Sequence, residues 1–272
     1  MTTFHDLIGK IPAPVGGSLY PTPEQVRAWV TQPETFTDEV HARECQSGFI
    51  NAQEANGTLT AFPCPRCEAA KRQAALRRQL VASGVDGRYL DTTWADLDVI
   101  APLDRVRDAC ERITDIIATG ASLLLWSPET GSGKTQAAML AATAAIRAGH
   151  TAHVANLARL AVDVRDGYRN KDGAALTEKG ALARLTAPDL LVLDDLGAGE
   201  TDSAAVERRL LFLALDERQT KRLPTIVTAN LSPQELVQVF GVRVLARLQP
   251  LTVIHVDHKR NFRVSKNARP LW

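Results

Sequence analysis

From residue 120 onward the chain alternates short apolar runs with longer stretches whose apolar positions recur at helical spacing, the rhythm of parallel strands joined by crossover helices. The runs predict strands at 122–126, 151–155, 190–193, 225–228 and 252–256. The periodic stretches predict helices at 134–148, at 203–220 with Asp202 as N-cap, and at 233–248. Together they make an α/β layered domain around a five-stranded sheet. Upstream, EAAKRQAALRRQLVAS over 68–83 reads as a basic helix ended by Gly84, and 103–118 as a helix closed by Thr119 and Gly120. GVDGRYLDTTWADL, between them, reads as a linker. The first 65 residues are rich in Pro, Gly, Thr and Gln and lack sustained 3.6-residue periodicity, which suits a loop-rich module or a partly ordered arm. The expected division is an N-terminal module over 1–83, a linker over 84–102 and a larger domain over 103–272.

Composition narrows the class. With 272 residues, 45% hydrophobic and 23% charged, the chain matches ordinary globular proteins, and disordered or fibrous readings fall away. Four Cys in a chain of this length do not make a disulfide scaffold. The opening MTTFHDLIGK lacks the basic start and apolar run of a secretory signal, so a cytoplasmic protein is expected. No apolar run approaches the roughly 20 residues that span a bilayer, so no membrane partner is expected. A formal net charge of +1 gives no blanket basic surface, and any nucleic-acid contact must come from local patches. Residues 1–100 carry 9 Lys or Arg against 12 Asp or Glu, whereas the remainder carries 23 against 19.

LLLWSPETGSGKTQAAML places a buried-type strand, a Gly-rich turn and a helix in succession, the context of a Walker A motif. Gly131 and Gly133 let backbone N–H groups turn inward as an anion nest at the positive end of the helix dipole. Lys134 then reaches the β and γ phosphates of ATP, and the Thr135 hydroxyl ligates Mg2+. Nucleotide contacts are expected across Glu129, Thr130, Gly131, Ser132, Gly133, Lys134, Thr135 and Gln136. Pro128 stands where the motif has its first Gly, so the loop entry departs from the usual one. The bland reading is a Gly-rich turn with a surface Lys.

A nucleoside triphosphatase also needs a metal-holding carboxylate and a group that orients water at the same sheet edge. PDLLVLDDLG offers Asp194 for the Mg2+ shell and Asp195 for polarising the attacking water, unless the pair is simply a polar turn or a helix cap. In PTIVTANLS, Asn230 either bonds the γ-phosphate or lytic water or forms a turn. In VRVLARLQP, Arg243 and Arg247 lie four apart on one helical face before the last strand, either solvated or aimed at a neighbouring subunit's nucleotide.

Two further clusters carry chemistry. His41 and Cys45, then Cys64 and Cys67, form close pairs at near zinc-ribbon spacing, so Zn2+ is expected, with free thiols or CPRC redox chemistry as alternatives. Cys110, alone in a helical pattern, is expected in the core. Between the second and third strands, Arg159, Arg165, Arg169, Lys171, Lys179 and Arg184 surround Tyr168, forming either a single-stranded DNA grip or a solvated helical hairpin. The stretch 259–272 carries five Lys or Arg and no acid, which also suits phosphate contact.

On SPETGSGKT, LLVLDDLG, TANLS and ARL, the chain resembles the AAA+ ATPases of the bacterial helicase-loader family, DnaC and DnaI type, and the related IstB-type transposition ATPases. The resemblance runs from about Asp86 to the end of the sequence. It implies a P-loop NTPase core with strand order 5-1-4-3-2, no sizeable lid, Asn230 as sensor 1 and Arg247 as an arginine finger acting in trans. It also implies a basic residue near the nucleotide after the last strand, Arg263 with Arg260 as substitute. The wider AAA+ group usually has Glu where this chain has Asp195, and the shorter arm implies slow ATP hydrolysis raised by DNA or a partner. The function so implied is ATP-dependent loading or remodelling of a replicative DNA helicase on single-stranded DNA, by chains that self-associate into a ring or helical oligomer. Some loaders carry an N-terminal zinc module that grips the helicase. Alternatives are an IstB-type regulator of transposition, a P-loop kinase in which Arg247 acts within one subunit, and a nucleotide-sensing adaptor.

Overall fold

Strands of four to seven residues, apolar on both faces, form the centre of the larger of two compact units, residues Leu76–Trp272, in the computed structural model of the protein. The smaller unit is Met1–Ala75. Described residues are 19–97, 102–169, 176–197, 203–257 and 262. Among them no helix is long and apolar enough to cross a membrane.

In the smaller unit, helices α1 (Pro23–Thr31) and α2 (Asp38–Glu44) precede an antiparallel sheet of β1 (Cys45–Gln46), β2 (Phe49–Gln53) and β3 (Leu59–Pro63). Thr22 and Gln25 form a capping box that starts α1, and the Thr37 hydroxyl caps α2. Val26, Phe36, Ile50, Ala52 and Cys64 close a small core. Over residues 19–63, where a loop-rich module or a partly ordered arm was expected, the chain forms short helices and an antiparallel sheet. These elements are two to nine residues long, too short to show periodicity in sequence. Helix α3 spans Pro65–Ala82.

In the larger unit, α4 (Leu103–Glu111) and α5 (Ile113–Thr119) lead into β4 (Ser122–Trp126), α6 (Lys134–Arg147), β5 (Ala152–Ala155), α7 (Leu157–Arg169), α8 (Glu178–Thr186), β6 (Leu190–Leu196), α9 (Ala204–Thr220), β7 (Thr225–Ala229), α10 (Pro233–Phe240), α11 (Val242–Ala246) and β8 (Leu251–His255). All sheet pairings are parallel, in the order β5-β6-β7-β4-β8. Renumbered from the first core strand and read from β8, this is 5-1-4-3-2, the order the resemblance implies.

One face of the sheet, with Leu125, Leu190, Val192, Ile226 and Ile254, packs on α6 and on Leu97, Leu103 and Val106. The other, with Leu124, Leu191, Leu193 and Val227, packs on α7, α8 and α9. Five buried alanines on α6, from Ala137 to Ala145, let that helix lie close against its neighbours.

Three expected boundaries move. The helix over 103–118 breaks at Arg112, whose φ of −112° and ψ of 31° leave the helical region. The helix over 233–248 breaks at Gly241 (φ 90°, ψ 150°), a conformation open to glycine and closed to side chains with a Cβ. The third strand runs on to Leu196 through an irregularity between Leu193 and Leu196. Asp202 lies outside the described residues, and Ser203 occupies the cap position of α9. The expected linker is integral to the larger unit: Val85 and Leu97 are buried in its core, with Tyr89, Leu90 and Trp94 packed against them.

Arg218, 1% exposed, was not anticipated. It donates to the carbonyls of Leu185, Pro188, Asp189 and Pro224 and to the Thr225 hydroxyl, pinning α8 and the starts of β6 and β7 together. Burial pushes its guanidinium down to about 10, so it stays cationic at neutral pH.

Candidate nucleotide site

The loop after β4 enters through Ser127, whose N–H donates to the Ala229 carbonyl, and whose hydroxyl accepts from the Glu129 N–H at 3.2 Å. Pro128, which has no N–H to offer, is bridged by that contact. Gly131 (φ 77°) and Gly133 (φ 90°) turn the chain back toward α6. At Gly133 a Cβ would lie 3.0 Å from Leu97 Cδ2 and 3.2 Å from Leu103 Cδ1 and Phe262 Cδ2, so the turn needs glycine for space as well as for φ. Lys134, 7% exposed at the start of α6, donates to the carbonyls of Ser127 and Glu129 and to the Ser132 hydroxyl at 3.0–3.1 Å. The ammonium thus sits inside the loop, at the end of α6 where backbone N–H groups are unspent.

Opposite the loop stands the carboxylate pair. Adjacent residues on a regular strand point to opposite faces. Here Asp195 adopts φ 58° at the irregularity in β6, and both Asp194 and Asp195 line one cavity. Thr228, buried on β7, connects them: its hydroxyl accepts from the Asp195 N–H at 2.8 Å and donates to Asp194 Oδ1 at 2.7 Å. Asn230 donates its amide to Asp195 Oδ1 at 2.9 Å. The cavity, of about 510 Å3, brings the predicted residues 130–136, Asp194, Asp195 and Asn230 together. Glu129 contributes its carbonyl to Lys134. Thr135 and Asp194 both line the cavity, and their hydroxyl and carboxylate are the hard oxygen donors that magnesium takes.

Four residues of the same cavity were missed: Arg88, Tyr89, Thr228 and Phe262. A threonine inside an otherwise apolar strand was a usable signal for Thr228. Arg88 and Tyr89 lay in the supposed linker, where nothing in their own spacing marks a site. Arg88 ion-pairs with Asp86 and its guanidinium lies over the Tyr89 ring. Arg263 and Arg260 lie outside the described residues.

Arg247 is not at this cavity. It follows α11 and donates from Nε to Asp216 Oδ1 at 2.5 Å and from Nη1 to the Arg243 carbonyl at 2.8 Å, with its guanidinium 4.3 Å from the Phe212 ring centre. Since β8 begins at Leu251 and all five strands of this sheet are parallel, Arg247 stands at the N-terminal edge of the sheet, whereas Lys134 and the Asp pair stand at the C-terminal edge. A five-residue strand separates those edges by about 16 Å. Arg243 is exposed.

The basic stretch after β5 forms the helices α7 and α8. The Tyr168 hydroxyl donates to Glu178 at 2.7 Å, and Arg209 donates to both, which ties the pair of helices while the Tyr ring stays exposed. Lys171 lies outside the described residues, as does the side chain of Arg169.

In the smaller unit, His41, Cys45, Cys64 and Cys67 bring their ligand atoms within 4.8 Å of one another. The Cys67 sulfur is 3.6 Å from Cys45 Sγ and 3.6 Å from His41 Nε2. Zinc–sulfur bonds of about 2.3 Å in a tetrahedron put sulfurs about 3.8 Å apart, so the four residues fit that ion. Hydrogen bonding from Cys45, then from Cys64, pushes the Cys67 thiol up to about 11, since crowded sulfurs resist acquiring charge. Cys110 is buried in the larger unit's core, and burial raises its thiol to about 12.

The IstB-like ATP binding protein family matches residues 100–262. The replicative helicase loader DnaC of Escherichia coli (strain K12) is 25% identical over 147 residues, 54% of this chain and 56% of the relative. The protein of that name from Buchnera aphidicola subsp. Schizaphis graminum is 22% identical over 175 residues, 64% of this chain and 70% of the relative. Among solved structures, a putative primosome component from Streptococcus pyogenes serotype M3 is 20% identical with a TM-score of 0.49, covering 67% of this chain and 95% of that one. The chain spans little more than half the length of the Escherichia coli relative it matches. With the family match covering more than half of its residues, including the phosphate loop and the carboxylate pair, the chain belongs to the IstB-like ATP binding protein family.

Proposed function

We propose that this protein is a cytoplasmic replication factor of the DnaC type, which binds ATP and Mg2+, assembles side by side on single-stranded DNA and delivers or remodels a replicative helicase. The reaction is hydrolysis of ATP to ADP and phosphate by in-line attack of water. Lys134 and the loop amides neutralise developing charge, Thr135 and Asp194 hold the magnesium, and Asp195 with Asn230 orients the water. The observation that carries the reading is the convergence of the phosphate loop, the Asp pair, Thr228 and Asn230 on one cavity. Arg247 at the far edge of the sheet supports action in trans, and it disfavours a kinase in which Arg247 would serve its own chain's nucleotide.

The smaller unit is proposed to hold Zn2+ through His41, Cys45, Cys64 and Cys67 and to grip the helicase. Among the described residues its core cluster has five buried hydrophobic residues, so the ion is expected to supply much of its stability. Metal analysis of the purified chain should find about one zinc, and chelation should open residues 19–75 to protease while ATP still binds the larger unit. Unchanged protease resistance after complete zinc removal would refute the structural role.

A second reading, control of a transposase, is favoured by the family match itself. Capture of replicative helicase or of transposase by the immobilised full chain, with and without ATP, decides between them. ATP-dependent capture of helicase supports the loader; capture of transposase alone overturns it.

A further inference from the structure

Arginine is costly to aim. Its long stem has many rotamers, and a guanidinium that must meet another subunit's phosphate gains from being held before it arrives. Helix α9 presents Phe212, Asp216 and Gln219 on one face, at i, i+4 and i+7. All three engage the end of α11: the Phe212 ring lies beneath the Arg247 guanidinium, Asp216 accepts from its Nε, and Gln219 donates to the Ala246 carbonyl at 3.4 Å. The Arg243 carbonyl takes Nη1. Among the described residues Nη2 has no hydrogen-bond partner, and Arg247 borders a recess of about 330 Å3 that Arg222 also lines. Two of the three guanidinium nitrogens are therefore anchored within the chain, one face of the group is stacked, and the third nitrogen remains for an incoming oxygen.

We propose that Asp216 is a positioning residue for Arg247, which it holds, with Phe212, in the geometry that meets the γ-phosphate of the adjoining subunit's ATP. The proposal rests on the reading of Arg247 as a residue acting in trans. The planar fork is essential to it: a lysine would lack Nε, would not stack in the same way on Phe212 and would offer no directed third nitrogen. Asp216 is half exposed and its pair with Arg247 is a surface ion pair, which contributes little to folding. Orientation is what its loss removes.

The test is steady-state ATP turnover by the full chain at saturating single-stranded DNA. Asp216→Asn should lower kcat about tenfold and leave the ATP concentration for half-maximal rate within twofold, because the substrate's own loop is untouched. Asp216→Glu should recover turnover to within threefold of the parent. In an Arg247→Ala background, adding Asp216→Asn should change the rate less than twofold. Thermal melting of each variant checks that the fold is intact. Parental turnover in Asp216→Asn, or the same tenfold loss in the Arg247→Ala background, overturns the proposal. Mixing Asp195→Asn with Arg247→Ala tests the underlying reading separately, since a mixed interface pairs an intact finger with an intact pocket. Recovered turnover in the mixture alongside a silent Asp216→Asn removes only the role of Asp216. No recovery in the mixture removes action in trans, and the positioning role falls with it.

Discussion

Replacing Lys134 by alanine is expected to weaken ATP binding at least 100-fold, measured by calorimetric titration in the presence of magnesium. Three loop oxygens, the carbonyls of Ser127 and Glu129 and the hydroxyl of Ser132, converge on its ammonium. Phosphate oxygens would displace or share with these acceptors at the ammonium's three N–H groups. Hydrogen bonds to a charged group contribute about 1.5–3 kcal/mol each, and one such bond to a phosphate oxygen at the upper end already accounts for about two powers of ten. Alanine also leaves the loop oxygens without this donor, those of Ser127 and Ser132 being buried, so the loop loses shape as well as charge. Lys134→Arg separates the two losses. It keeps the charge but places a planar fork where a compact ammonium fits, and it should recover only part of the affinity. Binding by Lys134→Ala within threefold of the parent would show that the nucleotide sits elsewhere.

The sheet was legible because strands buried on both faces read as short, largely apolar runs: LLLW and LLVL are unbroken, and TIVT sets two apolar residues between threonines. The phosphate loop was legible because its chemistry requires glycine, lysine and a hydroxyl at fixed spacing. What escaped is what depends on contacts distant in sequence. Thr228 meets Asp194 and Asp195 across 33 or 34 residues, and its role exists only once β6 and β7 are paired. Arg88 and Tyr89 reach the cavity from a segment whose Gly and Asp residues read as linker, because two 3-10 turns of three and four residues carry no periodic signal. A separate N-terminal module was expected, but its short helices and strands escaped for the same reason of length, although its four metal-type ligands were visible as two close pairs.

Arg247 shows a different boundary. Its residue type and place before the last strand were readable, and so was the choice between solvent and a neighbour's nucleotide. Only the parallel order of the sheet puts it at the edge away from its own phosphate loop. Asp216 and Phe212 sit in a helix whose pattern reported amphipathic packing and nothing of the arginine they hold.

Asp195→Asn is expected to lower ATP turnover by about 100-fold or more while ATP affinity stays within threefold, the range that removing a positioned proton acceptor commonly costs. Asparagine is the informative replacement because Asp195 has φ 58°, a left-handed conformation that Asn adopts readily and that penalises most residues with a Cβ. Its side-chain oxygen can still accept from the Asn230 amide, as Asp195 Oδ1 does at 2.9 Å, and its N–H can still donate to the Thr228 hydroxyl. Shape and hydrogen bonding are kept and the negative charge is lost. Alanine would mix that loss with backbone strain and an unpaired Asn230 amide. Asp194→Asn provides the contrast: Thr228 still donates to it, but a neutral oxygen binds magnesium more weakly, so its defect should shrink as magnesium is raised. The Asp195→Asn defect should not respond to magnesium, because the missing charge acts on water. Equal rescue of both variants by magnesium would assign both carboxylates to the metal and leave the attacking water to another group.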